Sequence, residues 1–201
     1  KGMGDRATQG SRPKQPEQAV AELIQKQMTL TGALYALPKP TIASLPGAAA
    51  GAGLSIALAC DLRIAAESAF MTTGFSRIGL SGDYGASFFL TQIVGTARAR
   101  ELFFTNARLP AARCEEWGLV NRTVPDEQLA GETKTLAQQL ASGPSLAFAQ
   151  MKKNLDHSLR ADLTSCLEQE AEGLIHTAQT KDHREAVRAF VEKRNPVFEG
   201  R

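Results

Sequence analysis

Cysteine is scarce in this chain: three in 201 residues, at Cys60, Cys114 and Cys166. An odd number of widely spaced thiols makes neither a disulfide framework nor a thiolate metal site, and it points to a reducing cytoplasm. A charge excess of either sign is also lacking. The 23 Lys and Arg stand against 21 Asp and Glu, leaving a formal charge of +2. The basic residues are scattered rather than gathered into a stripe, so no field draws the chain to nucleic acid. Long apolar runs are missing: the longest, residues 54–60, falls far short of the ~20 residues that span a bilayer. The polar stretch over residues 1–18 does not read as a secretory signal. The expectation is a soluble cytoplasmic protein without membrane or nucleic-acid partners.

What is present is a globular composition, 43% hydrophobic and 22% charged. Residues 5–16 are polar and contain Gly and Pro, as in a surface loop. Over residues 17–37, Val20, Leu23, Ile24, Met28, Leu30 and Leu34 recur at helical spacing. The run Pro38-Lys39-Pro40 ends that helix. Strands are predicted over 41–45, 62–65, 69–71 and 119–124, and helices over 51–59, 87–94, 97–104, 111–117 and 127–142. Beyond residue 145 the chain is helix-rich to about residue 193. This is an α/β arrangement with a helical C-terminal appendage, and its strands are few and short for a complete sheet.

Residues 47–53, Gly-Ala-Ala-Ala-Gly-Ala-Gly, carry almost no side chain just ahead of a predicted helix. One reading is close packing of that helix on its neighbours. The other is a backbone site. The first N–H groups of a helix are unpaired, and its dipole favours negative charge. Small residues allow a ligand carbonyl to approach that backbone, and a developing oxyanion can be held there.

The segments around this stretch carry a resemblance. They include Lys39-Pro40-Thr41-Ile42-Ala43, Gly47, Ala50-Gly51-Ala52-Gly53-Leu54, Asp61, Arg63-Ile64-Ala65 and Ile78-Gly79-Leu80. Further on come Val94-Gly95, Trp117-Gly118-Leu119-Val120, Val124-Pro125 and Ala189-Phe190 with Glu192-Lys193-Arg194. Over residues 36–198 the chain resembles the crotonase, or enoyl-CoA hydratase/isomerase, superfamily. The resemblance implies a crotonase-like ββα spiral with a helical C-terminal trimerisation region, divided here as 1–140 and 141–201. It implies a homotrimer or hexamer acting on an acyl-CoA thioester. Coenzyme A then enters only as part of the substrate, and no metal is needed. In the family two backbone N–H groups grip the thioester carbonyl. By position one is the N–H of Ala52, flanked by Ala50 and Gly51. The other lies just before a Lys-x-Met. Lys1-Gly2-Met3 matches that motif, so the resemblance implies that this donor and several strands stand upstream of Lys1.

Hydratases of the family use two glutamates, and those positions fall on Ser55 and Phe75. Neither side chain does the acid–base work of a carboxylate. The acid in the right region is Asp83, which matches the carboxylate of double-bond and ring isomerases in the family. Dehalogenases share that carboxylate but need a histidine, whose position falls on Met28. Asp83 has a second reading as the N-cap of the helix that follows. Phe75, Ile78 and Phe88 nearby would desolvate its carboxyl and raise its pKa. Phe75 reads as core or acyl-pocket wall, and Ser55 as helix packing or a hydroxyl orienting a water. The resemblance places Phe190 beside the adenine and Lys193, with Arg194, near the phosphates of coenzyme A; the plainer alternative is a solvated helix end. The expected chemistry is double-bond isomerisation through an enolate, with Asp83 as proton shuttle. A hydratase with a different acid–base set and a non-catalytic acyl-CoA binder are the alternatives. Fatty acid metabolism and aromatic degradation are the settings the family suggests.

Overall fold

Pro16 opens the first helix, α1 (Pro16–Gln27), where its missing N–H would have had no partner anyway. The structure, a computed structural model, describes residues 15–201, so the loop expected over 5–16 lies almost wholly outside the described residues. α1 widens into a π turn, Met28–Gly32, and closes with a short last turn, α2 (Ala33–Tyr35). The prolines at 38 and 40 follow directly, as a helix stop should.

The order strand, strand, helix then runs twice. The first round is β1 (Ile42–Leu45), β2 (Ala48–Ala50) and α3 (Ala52–Ala59). The second is β3 (Leu62–Ala66), β4 (Phe70–Thr72) and α4 (Ala86–Thr105). A shorter round supplies β5 (Leu109–Pro110), α5 (Ala111–Glu116) and β6 (Arg122–Val124). The rounds stack, so strands distant in sequence pair. One sheet has the order β1-β3-β6, all parallel, and the other the order β2-β4-β5. In the second, β2 and β4 are parallel while β4 and β5 are antiparallel. β2 is absent from the sequence reading. Alanine has little preference for strands, and pairing of Ala48–Ala50 with Phe70–Thr72 imposes the conformation. The predicted strand over 119–124 is shorter than expected, because 119–120 turn into the core before β6 begins.

The core lies between these layers. Leu54 and Leu58 of α3 meet Ile64, Leu90, Leu119 and Val120 there, and each such buried side chain contributes about 1.5–3 kcal/mol. α4 breaks at Gly95 (φ 76°, ψ 169°), which separates the two helices predicted over 87–94 and 97–104. The predicted helix over 127–142 begins as a 3-10 turn at Asp126–Gln128 and continues as α6 (Leu129–Ala141), which packs on β1 and β3.

Three helices follow: α7 (Ser145–Ser158), α8 (Leu163–Ala178) and α9 (Lys181–Glu192). α8 packs against both of the others. Side-chain caps start two of them: Asp162 accepts from the N–H of Ser165 (2.9 Å), and Thr180 from that of His183 (3.1 Å). Lys152 of α7 reaches back to the Asp61 carboxylate (2.9 Å), which also accepts from Thr41 N–H (2.7 Å) and hydroxyl (2.8 Å). Asp182 is buried and accepts from the N–H groups of Glu199 (2.8 Å) and Gly200 (3.0 Å), folding the last residues onto α9. Leu163, Leu167, Leu174, Ile175, Phe190 and Val191 leave α8 and α9 with exposed apolar side chains. Among the described residues no helix is long and apolar enough to cross a membrane.

Candidate active site

The turn between β2 and α3 is built on Gly51. Its φ of 55° and ψ of −128° suit glycine and strain any residue with a Cβ. That conformation turns the chain abruptly from strand to helix. As the first residue of α3, Ala52 has an N–H with no carbonyl of its own helix to meet. Ala50, the last residue of β2, is exposed beside it. The turn is held from below. Gly51 N–H donates to the carbonyl of Thr73 (3.1 Å), and Asn106 fixes that segment in turn. The Asn106 carboxamide oxygen accepts from the N–H of Gly74 and from the Thr73 hydroxyl (3.2 Å). Asn106 ends α4 in the left-handed conformation and is buried. An asparagine after an apolar helix signals such an end, but its target 32 residues upstream has no sequence signal.

Phe75 is buried and stacks on Phe103, with ring centroids 6.1 Å apart. Its ring comes within 3.8 Å of where a Cβ on Gly51, or one on Gly82, would stand. Phe75 thus joins the β2–α3 turn to the loop that carries Asp83. Tyr35, Phe88 and Phe89 form a second aromatic group at the start of α4, with centroids 5.2–6.0 Å apart. Burial and the nearby Asp156 carboxylate push the Tyr35 phenol up to about 12.

Asp83 sits within this apolar frame. Its Oδ1 is buried and meets no hydrogen-bond donor among the described residues. Burial pushes the carboxyl above its ordinary pKa. The capping alternative does not hold for the side chain: α4 has no side-chain cap, and it is the main-chain carbonyl of Asp83 that accepts from Ala86 N–H (3.1 Å). Of the side chains expected to desolvate it, Phe75 is buried and Phe88 half-buried, whereas Ile78 is 71% exposed.

Ser55 bridges the two halves of the site. It is completely buried on α3, and its hydroxyl lies 3.2 Å from the carbonyl of Gly51 and 3.0 Å from that of Asp83. Its one proton serves these carbonyls, and the residue has no surface open to solvent. Gln27, unmarked in the sequence reading, accepts from the N–H of Tyr84 (2.6 Å). A polar residue on an amphipathic helix carries no signal for such a role.

The structure therefore brings together Ala50, Gly51, Ala52, Phe75 and Asp83. It leaves Phe190 and Lys193 apart, at the end of α9, which packs on α8. Phe190 is 85% exposed, and Lys193 ends the helix in the left-handed conformation. Arg194 is engaged by the carboxylates of Glu185 (2.5 Å) and Glu192 (2.6 Å), and this pairing and a hydrogen bond from Val197 N–H hold Glu185 down at about 2. The histidines lie elsewhere: His157 of α7 shares a hydrogen bond with Ser165 (2.9 Å), and His176 and His183 are exposed.

Comparison with known proteins is consistent across sequence and structure. The profile of a family described as Enoyl-CoA hydratase/isomerase matches residues 7–201. A protein of Rhodobacter capsulatus named "Probable enoyl-CoA hydratase" is 41% identical over 172 residues, covering 86% of this chain and 67% of its own. The 1,2-epoxyphenylacetyl-CoA isomerase of Escherichia coli is 37% identical over 168 residues, covering 84% of this chain and 64% of its own. The crystal structure of an enoyl-CoA hydratase from Bacillus anthracis superposes with a TM-score of 0.88 at 32% identity, over 94% of this chain and 73% of the other. The chain thus spans roughly two thirds to three quarters of the length of these relatives.

Proposed function

The chain belongs to the enoyl-CoA hydratase/isomerase family, and from that premise we propose that it isomerises a double bond in an acyl-CoA thioester with Asp83 as the proton carrier. The observation that carries this reading is the state of Asp83: a buried carboxylate oxygen that meets no hydrogen-bond donor among the described residues and caps no helix. A carboxylate kept free and partly dry is a base with a raised pKa. Its backbone is tied through Ser55 to the helix that begins at Ala52.

The chemistry follows from that pairing. The thioester carbonyl lies against the Ala52 N–H, at the positive end of α3. The Asp83 carboxylate takes a proton from the carbon next to the carbonyl, and the electron pair moves onto the thioester oxygen as an enolate. The same carboxyl, now protonated, returns the proton at a carbon further along the conjugated chain. Atoms and charge balance within one bound molecule, and no water is consumed. Gly51, Ala50 and Phe75 shape the approach to the Ala52 N–H. Phe190 and Lys193, exposed on α9, meet the coenzyme A portion from a neighbouring copy in a homotrimer or hexamer.

Hydration is the second reading, favoured by the name of the 41% identical relative. It requires a group that activates water, yet Phe75 is stacked in the core and the Ser55 hydroxyl is committed to two carbonyls. The two readings separate when the full-length protein is given a 3-enoyl-CoA and a 2-enoyl-CoA in heavy water and the products are weighed. Isomerised product formed by the wild type and lost in Asp83→Asn supports the proton carrier, and the fraction that carries no deuterium measures direct return of the abstracted proton. Hydrated product that survives Asp83→Asn overturns it.

A further inference from the structure

The loop that carries Asp83 is gripped by two side chains outside it. Tyr84 has a φ of 50°, a conformation uncommon for a residue with a Cβ, and glycines precede Asp83 and follow Tyr84. Within the segment the Asp83 carbonyl accepts from Ala86 N–H (3.1 Å). On one side the Ser55 hydroxyl, fully buried on α3, reaches the carbonyl of Asp83 at 3.0 Å. On the other the Gln27 carboxamide oxygen accepts from the N–H of Tyr84 at 2.6 Å. The two contacts close on the carbonyl and the N–H of the same peptide unit, the one that joins Asp83 to Tyr84.

Gln27 can reach that peptide because of where it stands. It is the last residue of α1, and the π turn Met28–Gly32 starts at the next position. A π turn inserts one extra residue per turn and rotates the helix face, and such turns recur at functional sites. The π turn packs on α3. One end of the brace therefore comes from the first helix and the other from α3, which also presents the Ala52 N–H.

We propose that Gln27 and Ser55 are positioning residues that clamp the Asp83–Tyr84 peptide from opposite ends and thereby aim the Asp83 carboxylate at substrate held on the Ala52 N–H. This rests on the reading of Asp83 as the proton carrier. Neither residue touches substrate. Both act through the backbone: losing Gln27 leaves the thioester contact in place and lets the carboxylate drift, whereas Ser55 also meets the Gly51 carbonyl, in the peptide that bears the Ala52 N–H, so its loss loosens both ends of the site.

The test compares the full-length protein with Gln27→Met, Gln27→Glu, Ser55→Ala and Asp83→Asn, using the enoyl-CoA that the wild type isomerises. Gln27→Met removes the acceptor at nearly constant length, and Gln27→Glu keeps an oxygen for the Tyr84 N–H. The expected result is a fall in kcat of about ten- to a hundredfold for Gln27→Met with KM unchanged, since misplacement by about 1 Å has effects of that order, and a fall at least as large for Ser55→Ala, which also loosens the Gly51–Ala52 peptide. Gln27→Glu recovers most of the rate. If Ser55→Ala fails to fold, the Gln27 pair decides alone. Wild-type kcat in both brace variants beside an inactive Asp83→Asn overturns the brace and leaves the proton carrier standing. Turnover that persists in Asp83→Asn overturns the proton carrier and the brace with it.

Discussion

With its pKa raised by burial, Asp83 couples pH to both stability and rate. The sign is fixed by the direction of the shift. Below its unfolded pKa the group is neutral in both states, and its apolar surroundings favour the fold. As pH rises through the folded pKa the site must hold a charge, and that contribution is lost. At pH 7 Asp83→Asn is therefore expected to melt above the wild type, with the gap closing below the ordinary aspartate value of about 3.9. Thermal melts across pH read this directly. The rate runs the other way, because the base must be ionised: kcat/KM falls on the acid side with an apparent pKa above that of a free aspartate. An acid limb at or below the ordinary value would show that the carboxyl is solvated in the working enzyme. Asp83 was legible in the sequence as the lone acid in the right region. Its burial was not, because the groups around it come from segments far apart. The Gln27 contact alone spans 57 residues.

At the scale of elements, the helices were legible from apolar spacing and from prolines, and β1, β3 and β4 from β-branched and aromatic residues. β2 was not, because its three alanines become a strand only by pairing with β4. The π turn escaped for a related reason: nothing in Met28-Thr29-Leu30-Thr31-Gly32 differs from an ordinary helical turn. The small-residue stretch was legible as a place where backbone matters. The structure distinguishes its glycines. Gly51 has a positive φ at the entrance to α3, whereas Gly53 lies inside the helix with open space around it. Gly51→Ala is expected to lose about 1–3 kcal/mol to backbone strain, and about a hundredfold in kcat as the Ala52 N–H turns away. Gly53→Ala should gain stability by up to about 1 kcal/mol through helix propensity, with turnover unchanged. Denaturant melts and steady-state rates on the pair test this. Equal behaviour of the two variants would mean that the turn is not what orients the donor.

The whole molecule joins a layered core to a helical appendage, and Asp61 and Lys152 form one joint between them. Their side chains are only 29% and 11% exposed, and Asp61 also anchors Thr41 ahead of β1. Lys152→Met should therefore destabilise by about 1–3 kcal/mol, whereas breaking the exposed Arg113–Glu116 pair on α5 should change little, within about 0.5 kcal/mol. Limited proteolysis adds a second readout, with cleavage near residues 142–144 releasing α7 sooner in Lys152→Met. A variant as resistant as the wild type would place the joint elsewhere. The stacked sheets also bear on how the chain is made. β3 ends at residue 66, and its second neighbour, β6, ends at residue 124. At ribosomal speeds of ~5–20 residues per second the intervening 58 residues (124 − 66) take about 3–12 s. For that interval every nascent copy carries an unpaired strand edge containing the wholly buried Ile64, a template on which neighbouring chains can join. Yield in a cell is thus set by how quickly residues 67–124 follow, and slower translation or a shortage of holding chaperones should turn this protein into inclusion bodies without altering a single native contact.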